Sequence, residues 1–144
     1  LFFYGTVGTG KSFLSGCIAK ELIEQGYSVI YFSAAALFET LSRTMFDYKN
    51  ADELRSLHED LYGCDLLIID DLGTECLNNV TASQFFSLLN ERHINHKATI
   101  ISTNLFLEDI QNRYSERIFS RIMNHYTSCK FTGPDIRRLK KCAK

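Results

Sequence analysis

GTVGTGKS, residues 5–12, is the stretch that decides the fold. It matches the spacing of a Walker A loop, in which two glycines enclose four residues and a lysine and a hydroxyl residue follow. Glycines let the backbone wrap closely around phosphate oxygens, and the lysine adds a positive charge to them. An apolar run, LFFY, precedes the loop, and a helical pattern follows it. This context predicts a nucleotide phosphate-binding loop rather than a plain glycine turn.

Apolar runs rich in β-forming residues recur along the chain at regular distances. They are residues 1–4, 28–32, 65–69, 98–102 and 126–131. The inner runs are continuous rather than alternating, which is typical of strands buried on both faces of a parallel sheet. The stretches between them have helical spacing, with Leu14, Ile18 and Leu22 on one face and Phe85 and Leu89 on another. The alternation predicts a doubly wound α/β fold with right-handed crossovers.

Composition limits the class of protein. A chain of 144 residues with 45% hydrophobic and 23% charged residues predicts one globular domain. The five cysteines are odd in number and include no CxxC pair, so we expect a reducing, cytoplasmic location and no disulfide framework. The net charge of −1 does not indicate a nucleic-acid binder, although residues 137–144 carry five basic residues and no acid. No apolar run is long enough to cross a membrane.

LLIIDDLG, residues 66–73, has the form of a Walker B strand end. Both acids follow a buried strand, at the carboxyl-terminal edge where open α/β sheets bind ligands. We expect Asp70 and the Ser12 hydroxyl to hold Mg²⁺, and Asp71 to orient an attacking water. Two acids after a strand can instead cap the next turn, but the phosphate-binding loop upstream favours the catalytic interpretation.

IISTN, residues 100–104, is a third buried strand that ends in small polar residues at the same edge. The Asn104 side chain is suited to hydrogen-bond the γ-phosphate of a nucleotide or the attacking water. The same side chain is also suited to cap the helix LEDIQNRY that follows. The residues alone leave both interpretations open.

Taken in order, these motifs resemble AAA+ ATPases, and among them the bacterial helicase-loader group of the DnaC and DnaI type. The resemblance rests on GTVGTGKS, LLIIDDLGTE, TIISTNL, YSERIFSRI and FTGPDIRRLKK, and it covers nearly the whole chain. The chain is also similar to the transposition helper ATPase IstB. The family implies a single AAA+ ATPase domain over residues 1–144, with a five-stranded parallel sheet in the order 5-1-4-3-2. A helicase-binding part is expected upstream of this fragment.

The resemblance also implies roles for individual residues. Asn104 matches the sensor 1 position, Arg121 the arginine finger that reaches a neighbouring subunit, and Arg137 the sensor 2 position. Arg117, four residues before Arg121 on one helix face, is the alternative finger, and either arginine can instead pair with local acids such as Glu116. The predicted catalytic residues are Lys11, Asp70, Asp71, Asn104 and Arg121. The predicted nucleotide-binding residues are Gly5, Thr6, Val7, Gly8, Thr9, Gly10, Lys11, Ser12, Phe13 and Arg137.

The implied function is a helicase loader that binds ATP and Mg²⁺ and hydrolyses ATP, with a transposition helper and a non-hydrolysing nucleotide-binding module as alternatives. Aspartate at position 71, where most AAA+ proteins have glutamate, favours a slow, switch-like ATPase. The implied partners are the replicative DNA helicase, single-stranded DNA and further copies of the chain, with no membrane. Residues 34–57, which include Phe38, Arg43 and Arg55, could contact DNA through aromatic and basic side chains. Leu37, Leu41 and Met45 in the same stretch equally suit a core-facing stripe.

Overall fold

A five-stranded parallel sheet forms the centre of the computed structural model, which describes residues 1–46 and 51–138. The strands are β1 (Phe2–Gly5), β2 (Val29–Ser33), β3 (Leu66–Leu72), β4 (Ala98–Thr103) and β5 (Ser128–Phe131). The spatial order is β2-β3-β4-β1-β5, which confirms the predicted order read from the other side. Each strand overlaps an apolar run that the sequence marked, and the largest difference is at β3, which extends three residues beyond the run 65–69.

Six helices connect and cover the strands. They are α1 (Lys11–Glu24), α2 (Ala34–Phe46), α3 (Ala51–Gly63), α4 (Asn79–Ile94), α5 (Leu107–Arg113) and α6 (Glu116–His125). No helix in the described part of the chain is both long and apolar enough to traverse a lipid bilayer. The α4 helix begins with a reciprocal cap, since the Asn78 side chain accepts from the Thr81 amide at 2.9 Å and Thr81 Oγ1 accepts from the Asn78 amide at 3.1 Å. This cap fixes where the chain turns back over the sheet after β3.

The two faces of the sheet are covered unequally, as the side-chain alternation of β3 shows. Leu67 and Ile69 pack in the larger core, together with side chains of α2, α4, α5 and α6. Leu66 and Ile68 point to the smaller core, which α1 covers. Because β3 is buried on both faces, its sequence has to be apolar at every position until its end.

The α1 helix packs differently from its sequence pattern. The face predicted from Leu14, Ile18 and Leu22 is only partly buried, and Leu14 is 39% exposed. The helix instead turns the small residues Ser15 and Ala19 onto the sheet, and both are buried. Small side chains let α1 approach the sheet closely, so its first turn lies directly over the strand ends. By contrast, the predicted buried face of α4 is confirmed, since Phe85 and Leu89 are both 0% exposed.

At the amino-terminal edge of the sheet, where β3 and β4 begin, a charged residue is fully buried. Arg92, near the end of α4, is 0% exposed. Its guanidinium donates to the carbonyl oxygens of Leu61 at 2.7 Å, Cys64 at 3.1 Å and Ala98 at 2.6 Å. Its Nε also donates to Thr99 Oγ1 at 3.0 Å. One side chain thus binds carbonyl groups at the end of α3 and at the start of β4, and buried carbonyl groups of this kind need hydrogen-bond partners.

Candidate functional site

The loop between β1 and α1 is shaped by its glycines. Gly8 and Gly10 have φ angles of 75° and 98°, in the left-handed region that only glycine adopts without strain. The α1 helix starts directly after the loop, and no side chain caps its first turn at Gly10. Its first amide groups are therefore open towards the loop, and with the helix dipole they favour an anion at this point.

Lys11 lies inside this loop and is only 5% exposed. Its ammonium group donates to the Gly5 carbonyl at 3.0 Å and to the Thr6 carbonyl at 2.7 Å. Burial lowers the pKa of Lys11, the nearby carboxylates of Asp71 and Asp70 oppose that shift, and Arg137 adds to it. The side chain thus holds a positive charge at the place where the loop and the strand ends meet.

The end of β3 contains a bulge at the two acids. Ile69 lies opposite Ile101 of β4, but Leu72 lies opposite Thr103, so β3 has one extra residue. Asp71 lies in the bulge and has a φ angle of 57°, a left-handed conformation that is rare for a residue other than glycine. Leu72 thereby returns to the core and is 1% exposed. The bulge presents Asp70 and Asp71 together at the edge, which an unbroken alternation would not do.

Three hydroxyl groups surround the Asp70 carboxylate. Ser12 Oγ donates to Asp70 Oδ1 at 3.0 Å, and the Ser102 hydroxyl makes a short hydrogen bond to the same oxygen. The Tyr31 phenol donates to Oδ2 at 2.7 Å. Ser12 and Asp70 therefore lie together, as the sequence predicts for a metal pair. Hydroxyl and carboxylate oxygens are the ligands that Mg²⁺ prefers, so these residues fit the expected cation.

Asp71 pairs with Asn104 across the ends of β3 and β4. Asn104 Nδ2 donates to Asp71 Oδ1 at 2.9 Å. The helix α5, which Asn104 was equally suited to cap, begins after Phe106, and the Phe106 amide bonds the Asp109 carboxylate at 3.2 Å. Asn104 therefore does not cap α5, and its side chain lies beside Asp71 instead; a contact between Asn104 and a phosphate or water stays a prediction.

A cavity of about 520 Å³ connects the loop with Asp71 and Asn104. Its lining residues are Val7, Gly8, Gly10, Lys11, Ser12, Phe13, Asp71, Asn104, Ile136 and Arg137. Nearly all of them belong to the predicted nucleotide-binding and catalytic residues. Phe13 is 78% exposed and Ile136 is 44% exposed, so apolar surface stands open beside the polar loop.

The segment after β5 folds back onto the loop and brings Arg137 to the cavity. The Ile136 amide donates to the Gly8 carbonyl at 2.9 Å. Arg137 Nε donates to Asp135 Oδ1 at 3.1 Å, and the Arg137 amide donates to the same oxygen at 3.0 Å. A Cβ atom on Gly8 would lie 2.1 Å from the Asp135 carboxylate, so only glycine fits there. Asp135 was missed in the sequence, although it lies inside the quoted GPDIR.

Arg121, the predicted finger, lies away from this cavity. With Arg117 it lines a separate cavity of about 560 Å³ between α4 and α6. Arg121 Nη1 is 2.9 Å from His125 Nε2, and its guanidinium carbon is 5.5 Å from the centre of the Phe86 ring. Arg117 is exposed. Neither arginine therefore lines the phosphate loop of its own chain.

Glu75 is a buried acid that the sequence did not single out. Its side chain is 0% exposed, accepts from the Gly73 amide at 2.7 Å and pairs with Arg113 Nε at 3.4 Å. The Tyr114 phenol also makes a short hydrogen bond to it. Glu75 thus ties the turn after Asp71 to the end of α5, just ahead of the helix that carries Arg121. The only signal in the sequence is its place at the end of LLIIDDLGTE.

One face of the stretch proposed to contact DNA packs into the core where it is described. Phe38 is 2% exposed and packs against Phe85, with ring centres 5.1 Å apart, so it is not available to stack on a base. Leu37 and Leu41 are buried as well. Arg43 and Arg55 are exposed and pair with glutamates one helical turn away. Tyr48 and Lys49 lie outside the described residues.

A family model described as IstB-like ATP binding protein matches residues 1–142. The chain is 28% identical over 120 residues to the replicative helicase loader DnaC of Escherichia coli (strain K12), an alignment that covers 83% of this chain and 48% of that protein. The crystal structure of the DnaC helicase loader superposes with a TM-score of 0.76 at 26% identity, over 92% of this chain and 77% of that one. The replication initiator DnaA bound to AMPPCP and single-stranded DNA superposes with a TM-score of 0.76 at 24% identity, over 98% and 44% of the two chains.

These likenesses confirm the predicted AAA+ fold and the resemblance to the helicase-loader group. They relate the chain to AAA+ proteins of DNA replication. The chain spans about half the length of the E. coli DnaC that it matches.

Proposed function

Since the chain belongs to the family of IstB-like ATP-binding proteins, we propose that it is a slow ATPase that acts as a loader of the replicative helicase. One observation carries the enzymatic part of the proposal. The cavity that Lys11 enters is also lined by Ser12, Asp71 and Asn104, while Asp70 bonds Ser12 beside it. A positively charged phosphate loop, a metal pair and an acid–amide pair are the parts that phosphoryl transfer needs.

Different residues of the cavity bind different parts of the nucleotide in this proposal. The loop backbone and the open first turn of α1 receive the phosphates, and Lys11 places its charge among them. Ser12 and Asp70 would hold Mg²⁺, which supplies positive charge to the phosphate oxygens. Arg137 lines the same cavity, and we expect it to turn from Asp135 to the nucleotide. We assign the exposed apolar side chains of Phe13 and Ile136 to the base or ribose, because they lie beside the loop.

Asp71 and Asn104 would orient the attacking water. Asn104 donates to Asp71 Oδ1, so Oδ2 is left to accept a hydrogen bond from the water. The amide fixes the plane of the carboxylate, and the carboxylate is exposed to the cavity side of the sheet. An aspartate here reaches less far than a glutamate, which supports a slow turnover.

Completion of the site by a second copy follows from the position of Arg121. The arginines of α6 line a cavity of their own rather than the loop of the same chain. A finger acting on a neighbouring subunit has to lie on such an outer face. We therefore propose that copies associate so that α6 of one approaches the phosphate loop of the next.

Hydrolysis measured against protein concentration tests the enzymatic proposal. We expect turnover per chain to rise with concentration, Asp71→Asn to abolish it while ATP binding remains, and Arg121→Ala to remove the concentration-dependent part. Arg117→Ala is the matched control on the same helix face, and it should leave turnover close to that of the parent. Turnover independent of concentration, or lost through Arg117 rather than Arg121, would contradict this assignment. If no variant and no condition gives hydrolysis, the chain is instead a nucleotide-binding module that does not hydrolyse ATP.

The helicase as partner is supported by the similarity to DnaC. Single-stranded DNA is supported by the shared fold with DnaA, whose structure holds it. A pull-down of the chain, within the longest protein that contains it, with the host's replicative helicase tests the proposal directly. We expect retention of the helicase in the presence of ATP. The Asp71→Asn variant, which binds ATP without hydrolysing it, should still retain the helicase, whereas the Lys11→Met variant, which binds ATP weakly, should lose it.

The description of the matching family as IstB-like favours one alternative, a helper ATPase in transposition. That protein would assemble on target DNA and bind a transposase rather than a helicase. The same pull-down separates the two, because retention of a transposase from the same host without retention of helicase would establish the alternative and overturn the loader proposal.

A further inference from the structure

A tyrosine on the edge strand β2 contacts the site without any role in the function proposed so far. Tyr31 is 46% exposed, and its phenol donates to Asp70 Oδ2 at 2.7 Å. We propose that Tyr31 is a positioning residue, which holds the Asp70 carboxylate so that its other oxygen faces Ser12 and Mg²⁺ meets a preformed site. This inference rests on the proposed function, because it concerns the metal that accompanies the nucleotide.

The strand register explains how the phenol reaches the acid. Ser33 lies opposite Asp70 and Tyr31 lies opposite Ile68, two residues earlier on both strands. Side chains two apart on a strand share one face of the sheet, so Tyr31, Ser33 and Asp70 project to the same side. Ser33 is engaged elsewhere, since its hydroxyl accepts from the Ala36 amide at 3.2 Å at the start of α2. The longer tyrosine extends along the strand and makes the contact that Ser33 does not make.

The two oxygens of Asp70 are held from different directions. Oδ1 accepts from Ser12 of α1 and from Ser102 of β4, and Oδ2 accepts from Tyr31 of β2. When Ser12 turns to ligate a cation, Ser102 and Tyr31 still hold one oxygen each. Rotation of the carboxylate then requires both bonds to break. Hydrogen bonds of this kind around a ligating carboxylate commonly set its orientation and its affinity for the metal.

The phenol O–H is a donor and the ionised carboxylate is an acceptor, so the bond between Tyr31 and Asp70 is charge-assisted. A residue that only covered the edge strand would need the ring and not the hydroxyl, so Tyr31→Phe separates the two roles.

The test is a calorimetric titration of the chain with AMPPCP, first in EDTA and then at stepped Mg²⁺ concentrations. We expect Tyr31→Phe to bind AMPPCP in EDTA within about twofold of the parent. We expect the Mg²⁺ concentration at half-effect to rise roughly tenfold, as for other residues that support a metal ligand. Tyr27→Phe, two residues before the same strand and 51% exposed, is the matched control and should change neither value. Thermal unfolding of each variant verifies the fold.

The outcomes are separable. A half-effect concentration that is unchanged in Tyr31→Phe while the parent responds to Mg²⁺ would overturn the positioning role alone. A parent that binds no nucleotide would overturn the proposed function and this inference together. Combining Tyr31→Phe with Asp70→Asn refines the result, because a role exerted through Asp70 predicts that the double variant behaves as Asp70→Asn does. An additional loss in the double variant would show that the phenol acts on the metal directly, against the proposal.

Discussion

At the amino-terminal edge of the sheet Arg92 is wholly buried, and at the carboxyl-terminal edge Lys11 is buried almost as deeply. Arg92 donates to the backbone carbonyl groups of Leu61, Cys64 and Ala98. Lys11 donates to two loop carbonyls, but it faces a cavity lined by Asp71 and Asn104. Arg92 therefore stabilises the fold, whereas Lys11 is positioned to bind a ligand.

The backbone around the two cations has left-handed residues at both edges. At the carboxyl-terminal edge, Asp71 and the loop glycines Gly8 and Gly10 adopt left-handed conformations, and at the amino-terminal edge His96, just before β4, has a φ angle of 54°. A left-handed residue therefore does not by itself distinguish the two edges. At the amino-terminal edge, carbonyl groups of ordinary helix and strand ends are matched by one guanidinium. The comparison shows that a buried charged side chain does not by itself indicate a ligand-binding site. The groups around the charge decide whether it stabilises the fold or binds a ligand.

Replacing Arg92 by Met should produce the largest effect, because it leaves several buried carbonyl groups without a donor. We expect a loss of roughly 4 kcal/mol in the free energy of unfolding, since each unpaired buried group costs about 1–3 kcal/mol. Urea unfolding followed by circular dichroism measures it. Arg43→Met, on an exposed arginine of α2, is the control and should cost less than about 0.5 kcal/mol. An Arg92→Met variant as stable as the parent would show that the carbonyls find other partners.

Replacing Lys11 by Met should lower ATP affinity strongly and stability only slightly, which is the reverse of the effect expected for Arg92→Met. Lys11→Met keeps the length of the side chain and removes its charge, so ATP affinity should fall roughly 100-fold through lost charge-assisted contacts with phosphate. Stability should change by less than about 1 kcal/mol, because a buried charge that desolvation disfavours is removed. Calorimetric titration and urea unfolding measure the two quantities, with Lys20→Met on the exposed face of α1 as control. If stability and affinity fall together, the contrast between the edges is wrong.

A smaller effect is expected at Asp135, whose carboxylate lies against Gly8 and pairs with Arg137. The negative charge opposes a phosphate on the loop and competes with it for the arginine. Asp135→Asn should therefore raise ATP affinity roughly threefold, the scale of a partly exposed ion pair. Titration at low and high salt measures it, and the gain should shrink as salt rises. A lower affinity would mean that Asp135 chiefly orients Arg137.

The smallest effect is expected in the pH dependence of stability, through Asp65 at the amino-terminal edge of the sheet. Asp65 accepts from the Ser28 hydroxyl at 2.7 Å and from Lys97 at 3.1 Å, and these bonds lower its pKa to about 2, with Ser28 contributing most. Its pKa in the unfolded chain is about 3.9, so the ionised acid stabilises the fold above that pH. That contribution is lost as pH falls towards 2.

Asp65→Asn should therefore melt at a lower temperature than the parent at neutral pH. The difference should disappear on acidification through that window, and ATP binding at neutral pH should be unaffected. Ser28→Ala should reproduce part of the same pH dependence. A difference that persists unchanged in acid would show that the carboxylate charge is not what stabilises the fold.

The fold and the centre of the site could be predicted because they depend on local patterns. The loop needs glycine at fixed spacing, the inner strands need continuous apolar runs, and the acids follow β3 directly. The bulge that brings Asp70 and Asp71 to one edge could not be predicted, because it appears only in the pairing of β3 with β4. The resemblance to the family supplied the strand order, which no local pattern contains.

The residues that were missed meet their partners over long distances in sequence. Tyr31 lies in an apolar run and bonds an acid 39 residues away, and Arg92 bonds carbonyls about 30 residues away. Phe38 was one candidate for DNA contact because aromatic and basic residues share a helical stretch, yet tertiary packing buries it against Phe85. Leu14 was placed on one helix face with Ile18 and Leu22, but α1 packs on the sheet through smaller side chains. The type of a side chain determines which interactions it can make. Only the tertiary packing determines which residue it interacts with.

A crystal structure of the chain with AMPPCP and Mn²⁺ in place of Mg²⁺ tests the central claim most directly. Anomalous scattering locates the metal independently of the nucleotide. We predict one anomalous peak between Ser12 and Asp70, with the phosphates on the Gly5–Ser12 loop and Lys11 turned towards them. A nucleotide bound elsewhere, or a metal bound away from Ser12 and Asp70 at saturating concentrations, would contradict the account of the carboxyl-terminal edge as the ATP site.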